Sequence, residues 1–537
     1  MSRESGERQK LETLERLTKK RVEELLSARF EDGFKELKDL PDPFELHDMK
    51  RAVERIAGAI ERGERIAVVG DYDVDGVIST VIMAEFFELI EHPVETVIPN
   101  RFRDGYGVSA AILERVEADV VITVDNGITA FEAAEVCKSR GVDLIITDHH
   151  TVAEELPEAY AIVNPKKREC SFTYPDICGA QVAWFLVGAL KRELGLDIKM
   201  SRFLDLLAVA VVADVMPLTA INRPIVKRGL QMLSSSRRPA FEAVRAYLGK
   251  KSFGAMDIGF LVAPRINSAG RMDDASHALK FLRSKSLSEA SSGWLKLEEL
   301  NRQRRATEAE ATEEAMEMAD PDDSVIVVAK EGWHEGVVGI VASRLVDRFK
   351  KPAIVLSVEN GRAKGSGRSV GDVDLFSLLK SCEDELLGFG GHKMAAGLSL
   401  PIENIDSFRA KISESARSLD PQLFVPKENL LGVLPLEEID WELMELLERF
   451  EPYGEANIRP RFFLEDASVL EAKRIGAEGN HLKILLSDGR NSLQALWFGY
   501  EKIVVPGDRI SITGSLSINE FNSKRSIQFL VDKIIFK

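Results

Sequence analysis

Three short apolar runs, each closed by an acidic or imidazole-bearing turn, constrain this chain more than any other feature. They are RIAVVG-DYDVDG (65–76), DVVITVD-NG (119–127) and DLIITD-HH (143–150), with VETVIPN (94–100) and AIVNP (161–165) as further short runs. Strands buried on both faces read as unbroken Val/Ile/Leu stretches, and helical text such as VISTVIMAEFFELI separates these. The pattern predicts a parallel sheet with crossover helices. Ligands in such sheets gather beyond the carboxyl ends of the strands. The polar residues after each run are therefore the ones to read.

GDYDVDG places Asp71, Asp73 and Asp75 at every second position directly after a strand, with Gly70 and Gly76 allowing a tight turn. Three carboxylates this close repel one another unless protons or a cation intervene. A solvated acidic turn is one reading and a divalent-metal loop the other. An EF-hand is excluded, because no Gly and closing Glu stand at its offsets. Other element ends supply matching groups: Asp125 before Asn126-Gly127, Asp148-His149-His150, and Asp214 closing LDLLAVAVVAD. Carboxylates with one imidazole suit Mn²⁺ or Mg²⁺ better than structural Zn²⁺. Asp148 can orient His149 or His150 as a hydrogen-bond acceptor. The set points to a hydrolase with two metals, in which ions ~3.5–4 Å apart activate a water and stabilise the leaving oxygen.

Residues 1–48 read as a polar helical segment broken at Asp42-Pro43, and 201–285 read mostly as helix. Residues 286–320 form one long charged helical pattern, too polar for a core helix, and are expected to connect two domains. A second strand/helix alternation runs over 321–422. Beyond the Pro-marked stretch LDPQLFVPKEN, short strands split by Asp-Gly, Pro-Gly and Asn-Glu turns predict a small all-β barrel of the oligonucleotide-binding type over 423–537.

The chain has 537 residues and a formal net charge of −16. That acidity argues against coating nucleic acid through bulk charge, but a local basic channel is compatible with it. Residues 361–370, GRAKGSGRSV, sum to +3. The four cysteines, Cys137, Cys170, Cys178 and Cys382, form no CxxC pair, so free thiols are expected. The N-terminus MSRESGERQK is too polar for a secretory signal, and no apolar run reaches the ~18 residues of a membrane span. A cytoplasmic protein is the expectation.

GDYDVDG, VDNGIT, TDHH and VADVMPL resemble the successive motifs of the DHH phosphoesterase superfamily. The first departs from the phosphatase branch, where a His stands at the position of Val69. It is similar to the RecJ branch, the single-stranded-DNA-specific exonucleases. The resemblance implies Asp73, Asp75, Asp125, His149 and Asp214 as ligands of two Mn²⁺ or Mg²⁺ ions, with Asp125 bridging. It leaves Asp71 as a weaker ligand or a supporting group. His150, with Asp148 and Arg271, would serve the catalytic step at the scissile phosphate.

NRFRDGYG (100–107) reads from pattern alone as either a surface turn or a phosphate clamp with an aromatic face, and the resemblance favours Arg101 and Tyr106 as strand-binding. PRINSAGRMDDA (264–275) is similar to the family's PRxNAxGR, with Ser268 in place of Ala, and adds Arg265, Asn267 and Arg271. GWHEGVVGIVASRL, SGRS and GFGGHKMAAG resemble the companion DHHA1 module. There Ser366 and Arg368, with His392, would form a pocket for a terminal 5′-phosphate. FEPYGEAN (450–457) is similar to a family signature but has Ala456 at its second glycine. Trp497, Phe498, Lys483 and Arg490 are expected to be core or surface residues before strand contacts.

The implied fold class is α/β: a DHH parallel-sheet domain (49–285) and a DHHA1 mixed-sheet domain (321–422) joined by a long helix (286–320), then a C-terminal all-β barrel. The additional C-terminal domain of some longer relatives is not expected in this sequence. The implied activity is 5′→3′ exonucleolytic release of 5′-mononucleotides in DNA recombination and repair. Hydrolysis of short RNA or cyclic dinucleotides is the alternative on the same site. Single-stranded DNA, preferably 5′-phosphorylated, is the implied partner, with a helicase and a single-strand-binding protein as candidate protein partners and no membrane.

Overall fold

The computed structural model describes residue 11 and residues 13–426, 429–476, 478–500, 502–521 and 524–536. Residues 1–10 and 12, part of the helical segment expected over 1–48, lie outside them. The remainder of that segment holds one regular helix, α1 (Lys19–Ser27), and two single turns at Leu37–Asp39 and Pro43–Glu45. The chain divides into two compact units: Pro41–Asp214 with Gly229–Lys427, and Met1–Leu40 with Val215–Arg228 and Glu428–Lys537. The barrel unit is thus assembled from three stretches of chain, not from its C-terminal stretch alone.

The larger unit opens with α2 (Met49–Arg62), closed by the left-handed Gly63. A five-stranded parallel sheet follows, in the order β2-β1-β3-β4-β5. Its strands are β1 (Ile66–Val69), β2 (Val94–Val97), β3 (Val120–Val124), β4 (Asp143–Thr147) and β5 (Ala161–Val163). The crossover helix α3 (Val74–Leu89) is apolar all round and buried along nearly its whole length, as a helix inside a layered core must be. The chain leaves β1 for β2 on one side and returns to β3 on the other. The switch point of the sheet therefore lies at the carboxyl ends of β1 and β3, where ligands bind in this architecture. Helices α4 (Phe131–Arg140), α5 (Gly179–Glu193), α6 (Leu204–Ala213) and α7 (Ala263–Met272) follow.

Helix α8 (Leu287–Met318) runs for 32 residues, started by the Ser286 hydroxyl, which accepts the Glu289 N–H. It is more than the solvated connector its composition suggests. Ala290, Trp294, Leu297 and Asn301, then Glu308, Ala311 and Ala315, recur at three- and four-residue steps and are buried. This narrow stripe packs on the parallel-sheet module at one end and on the next module at the other.

That next module is a mixed sheet in the order β6-β7-β8-β10-β9: β6 (Ile326–Glu331), β7 (Ala353–Glu359), β8 (Arg362–Arg368), β9 (Gly388–His392) and β10 (Ala395–Pro401). Helix α9 (Val338–Phe349) joins the parallel pair β6 and β7.

In the other unit, strands β12 (Arg461–Ile475), β13 (His481–Ser487), β14 (Ser492–Phe498), β15 (Arg509–Phe521) and β16 (Lys524–Phe536) close into a barrel, because β15 pairs with both β16 and β12. Strand β11 (Leu430–Val433) adds in parallel to β12. FEPYGEAN braces this unit: Asn457 donates to the carbonyls of Phe450 and Pro452, and Arg223 donates to those of Arg449 and Glu451. Ala456 stands at φ +56°, the left-handed region that glycine adopts without strain, which accounts for the glycine of the resembling signature. Trp497 is buried in the barrel core, whereas Phe498 is exposed.

Candidate metal centre

Asp71, Asp73 and Asp75 follow β1, Asp125 follows β3, Asp148, His149 and His150 follow β4, and Asp214 caps the C-terminus of α6. All converge at the switch point. His149 Nε2 lies 3.1 Å from Asp125 Oδ1, 3.6 Å from Asp214 Oδ2 and 3.7 Å from Asp75 Oδ2. Two groups of ligating atoms result: Asp75, His149 and Asp214, and Asp71, Asp73 and Asp125, each with its atoms within 4.8 Å of one another. A third such group, Asp125 with His149 and His150, links them through Asp125.

The chemistry of these atoms fits divalent ions. Asp71 Oδ1, Asp125 Oδ1, Asp214 Oδ2 and both His149 nitrogens are buried without a hydrogen-bond partner. Buried polar atoms of that kind are rare in folded proteins unless something else satisfies them. Burial, then the charge of Asp73, pushes Asp71 well above the usual carboxylate range. Burial and the neighbouring Asp75 do the same to Asp125. Asp75 is raised to about 6 by burial and then Asp73, and Asp214 to about 9 by burial and then Asp75 and Asp73. His149 is pushed down to about 3 by burial and by His150, so its imidazole is neutral, the form that binds a metal. Asp214 is also an acid at a helix C-terminus, the end that disfavours negative charge.

The neighbourhood fixes each ligand. Asp75 accepts the N–H groups of Gly179 (2.6 Å) and Ala180 (2.9 Å) at the start of α5. A Cβ at Gly179 would lie 2.5 Å from Asp125 Cβ, so only glycine lets α5 approach. Asp125 itself sits at φ +63°. Asn126 ties the carbonyls of Val69 and Val124 together and accepts the Val108 N–H. Asp73 caps α3 by accepting the Gly76 N–H, and Asn267 Oδ1 accepts the Val74 N–H.

Asp148 orients His150, not His149: its Oδ1 lies 2.7 Å from His150 Nδ1, and its Oδ2 accepts the Ile128 N–H. Burial alone would lower His150, but the bond to Asp148 outweighs it and raises the group to about 9. The bond to Asp148 thus favours the imidazolium form of His150. The Tyr106 hydroxyl lies 3.4 Å from His150 Nδ1 and 3.4 Å from the Asp125 carbonyl oxygen.

Beyond the acids lies a crowd of arginines. Arg101 stacks 4.0 Å over the Tyr72 ring and donates to the Gly270 carbonyl. Arg271 donates to the Gly336 carbonyl and is lowered to about 10 by burial and by Arg101, Arg304 and Arg368. Arg368 donates to Ser366 Oγ at 2.7 Å. Ser366, Arg368 and His392 share one face of the second sheet, since Arg368 and His392 flank Ala395 in register.

Two expectations shift. The glycines of GRAKGSGRSV read as letting backbone N–H groups approach an anion, but residues 362–368 are not free to do so. They form β8, paired on both sides, and a Cβ at Gly365 would lie 2.0 Å from the Val355 carbonyl oxygen. The glycines serve the close packing of the sheet. Arg265, read as strand-binding, pairs with Glu298, donates to the Leu261 carbonyl and lies over Trp294, tying α7 to α8. Sequence reading missed Tyr72, Arg304 and the Gly179-Ala180 amides. Gly179 at the start of an apolar helix is the signal that could have found the amides.

A phosphoesterase of the DHH type, extended by a DHHA1 module and a barrel, is what this fold and site define. The DHH family N-terminal domain matches residues 65–211, the DHHA1 domain residues 322–418 and the RecJ OB domain residues 432–533. The chain is 38% identical to the single-stranded-DNA-specific exonuclease RecJ of Bacillus subtilis, over 92% of this chain and 64% of that protein. It is 32% identical to RecJ of Escherichia coli, over 91% of this chain and 90% of that one. The structure of Thermus thermophilus RecJ in complex with Mn²⁺ superposes with a TM-score of 0.80 at 31% identity, covering 92% of this chain and 72% of that one. The chain belongs to the RecJ family of metal-dependent, single-stranded-DNA-specific exonucleases.

Proposed function

We propose that this chain hydrolyses single-stranded DNA from its 5′ end and releases 5′-mononucleotides by a two-metal mechanism. One observation carries the reading: two groups of buried, unpartnered ligand atoms linked through Asp125, with crowded arginines beside them in the same unit. Asp75, Asp125, His149 and Asp214 would hold one ion, and Asp71, Asp73 and Asp125 the other. Mn²⁺ or Mg²⁺ is supported by the carboxylate-rich set and by the Thermus thermophilus RecJ structures in complex with each ion. When bound, such a pair supplies a nucleophilic water at neutral pH and stabilises the leaving oxygen.

The chain's own groups do the rest. Asp148 holds His150 protonated, so its imidazolium donates to a non-bridging phosphoryl oxygen. Arg271 and Arg101 neutralise the charge that develops there, in a site where fixed donors need no reorganisation. Tyr106, whose hydroxyl lies 3.4 Å from His150 Nδ1, would face the same phosphate. Ser366 and Arg368, with His392 on the same face, grip the terminal 5′-phosphate through charge-assisted bonds. The barrel would feed the strand by stacking and backbone contacts. A cytoplasmic role in recombination and repair, beside a helicase and a single-strand-binding protein, rests on family membership. No helix among the described residues is long and apolar enough to cross a membrane.

The test is a degradation time course with Mn²⁺ on 5′-labelled and 3′-labelled single strands, a matched duplex and an RNA of the same sequence. Immediate mononucleotide release from the 5′-labelled DNA, a shrinking ladder from the 3′-labelled DNA and an intact duplex are expected. Cleavage of short RNA alone would move the chain to the alternative phosphodiesterase reading.

A further inference from the structure

The C-terminal end of α3 faces a cavity of about 730 Å³ that no step of the proposed reaction uses. Its walls come from α3, from the 202–205 segment that starts α6, from residues 232–239 and from residues 282–285 ahead of α8, all in the larger unit. Helix α3 leaves the carboxyl end of β1 and leads to the amino end of β2, so the cavity lies beyond the amino ends of the strands, on the far side from the metal ligands. The 16 residues of α3 separate the two places by about 24 Å.

Five cationic side chains line this cavity, Arg202, Arg237, Arg238, Arg283 and Lys285, against three carboxylates, in a chain whose net charge is −16. The carboxylates are all claimed. Glu85 holds Arg238, Asp205 accepts the Ser236 hydroxyl at 2.7 Å and faces Arg238, and Glu88 holds Lys285 and Arg283. Arg202 and Arg237 are exposed and pair with no carboxylate among the described residues. The segment that presents Arg237 is fixed: Arg245 donates to the Leu233 and Ser236 carbonyls, and the Arg238 N–H donates to Ser236 Oγ.

Two independent observations point to an anion. Arg238 Nε and Arg283 Nε are buried without a hydrogen-bond acceptor, a condition rare among buried polar groups. The helix Pro239–Leu248 also opens at the cavity, with Arg238 at its cap position and no side chain capping its first N–H groups, where a helix attracts negative charge. The rest of the wall is apolar. Leu89, 41% exposed at the end of the largely buried α3, lies there with Met232, Pro239 and Leu282.

We infer that this cavity binds a nucleoside 5′-monophosphate at a site separate from the metal centre. Its cations exceed its carboxylates by two, and a phosphate monoester carries about −1.5 to −2 at neutral pH. Arg202 and Arg237 grip the phosphate through charge-assisted bonds. The base lies on Leu89, Met232 and Pro239, and the volume falls within the ~300–1,000 Å³ of small-molecule sites, which join a few placed polar groups to an apolar lining. The longer chain of a triphosphate would bring more charge than the site balances. The nuclease reading would make this ligand the enzyme's own product, but the site's chemistry stands without that reading.

The experiment is isothermal titration calorimetry in chelator, on the full chain carrying Arg368→Ala so that the candidate grip on a terminal phosphate is disabled. In that background dAMP should bind at one site. Adding Arg202→Ala and Arg237→Ala should weaken it about tenfold or more, the loss of charged hydrogen bonds, with an unchanged melting temperature because neither guanidinium has a carboxylate to strand. If that variant melts early, the single exposed reversal Arg237→Glu carries the same expectation. Inorganic phosphate and ribose 5-phosphate should bind more weakly than dAMP, and ATP no more tightly. Without Arg368→Ala, the Arg202→Ala, Arg237→Ala variant should degrade single-stranded DNA with Mn²⁺ at the unmutated chain's rate. No binding at millimolar dAMP, or equal affinity with and without the two arginines, would overturn the site. Phosphate binding as tightly as dAMP would overturn the nucleotide as its ligand. A slowed degradation would place these arginines on the strand's path and overturn the separateness. A chain inactive on DNA that still binds dAMP here would sink the nuclease reading alone.

Discussion

The two ends of helix α3 treat negative charge in opposite ways. At its N-terminal end, Asp71, Asp73 and Asp75 crowd with Asp125 and Asp214, and no arginine or lysine pairs with any of the five in a salt bridge among the described residues. At its C-terminal end, Glu85 is paired with the largely buried Arg238, which also faces Asp205, and Glu88 with Lys285 and Arg283. The same helix and the same residue chemistry thus give one end whose charges the protein balances itself and another whose balance is left to a ligand. A buried acid with a protein cation is architecture. A buried group of acids without one must keep protons or bind a cation from outside.

The strongest test of this contrast is Asp125→Asn, which keeps the side-chain shape and tolerates the left-handed backbone. It removes the group common to both halves of the site. Losing several kcal/mol of charge stabilisation corresponds to a turnover drop on the order of 10³-fold. In chelator the variant should melt no lower than wild type, since a repelling charge has gone. A variant that turns over like wild type would break the assignment.

Next is Arg238→Ala at the other end. It strands Glu85 and Asp205, and breaking a buried pair from one side costs about 3–5 kcal/mol. Chemical denaturation with and without Mn²⁺ should show the same loss in both, because this end has no share in metal binding.

Third is the effect of Mn²⁺ and pH on the unmutated protein. Asp75 and Asp214 have folded-state values of about 6 and about 9, above the ordinary carboxylate value of 3.8. Below about 6.5 the lowered His149 opposes them, but from there to about 9 Asp214 and His150 hold more protons in the metal-free folded state than in the unfolded one, so stability falls as pH rises through that window. Mn²⁺ at 100 times its dissociation constant should add about 2.7 kcal/mol per site and flatten that slope, read from melting curves across the range. A metal-free protein whose stability rises over the same window would contradict the account.

The smallest effect belongs to Lys285→Ala. Its pair with Glu88 is exposed, and such pairs contribute about 0–1 kcal/mol, diminishing with salt. A loss above that would mean that the C-terminal end of α3 is more tightly coupled than its exposure indicates.

Much of this was legible in the chain because the ligands sit where the apolar runs stop. Asp71, Asp125 and Asp148 each end a strand, and Asp214 ends an apolar helix, so position along the sequence and position at the switch point coincide. The parallel sheet and the barrel followed from the same spacing of runs and turns. What failed to show was anything decided by a distant partner. Arg265 reads like Arg271 until Glu298, 33 residues on, claims it. The glycines of 365–367 look like a loop because the strand that crowds them, β7, is specified elsewhere. Asp75 and the Gly179 amide that holds it are 104 residues apart. Helix α8 looked like a free connector because its buried stripe is too narrow to move its average composition.

That helix has one more consequence. At 1.5 Å per residue its 32 residues make a rod about 48 Å long, seated at one end on the module that carries the metal ligands and at the other on the module that carries Ser366 and Arg368. Under the proposed reading, the span between the scissile bond and the grip on the terminal phosphate is then the calibration of a caliper. The increment removed at each turnover would be set by the instrument's frame, and the base sequence passing through it would have no say in the length.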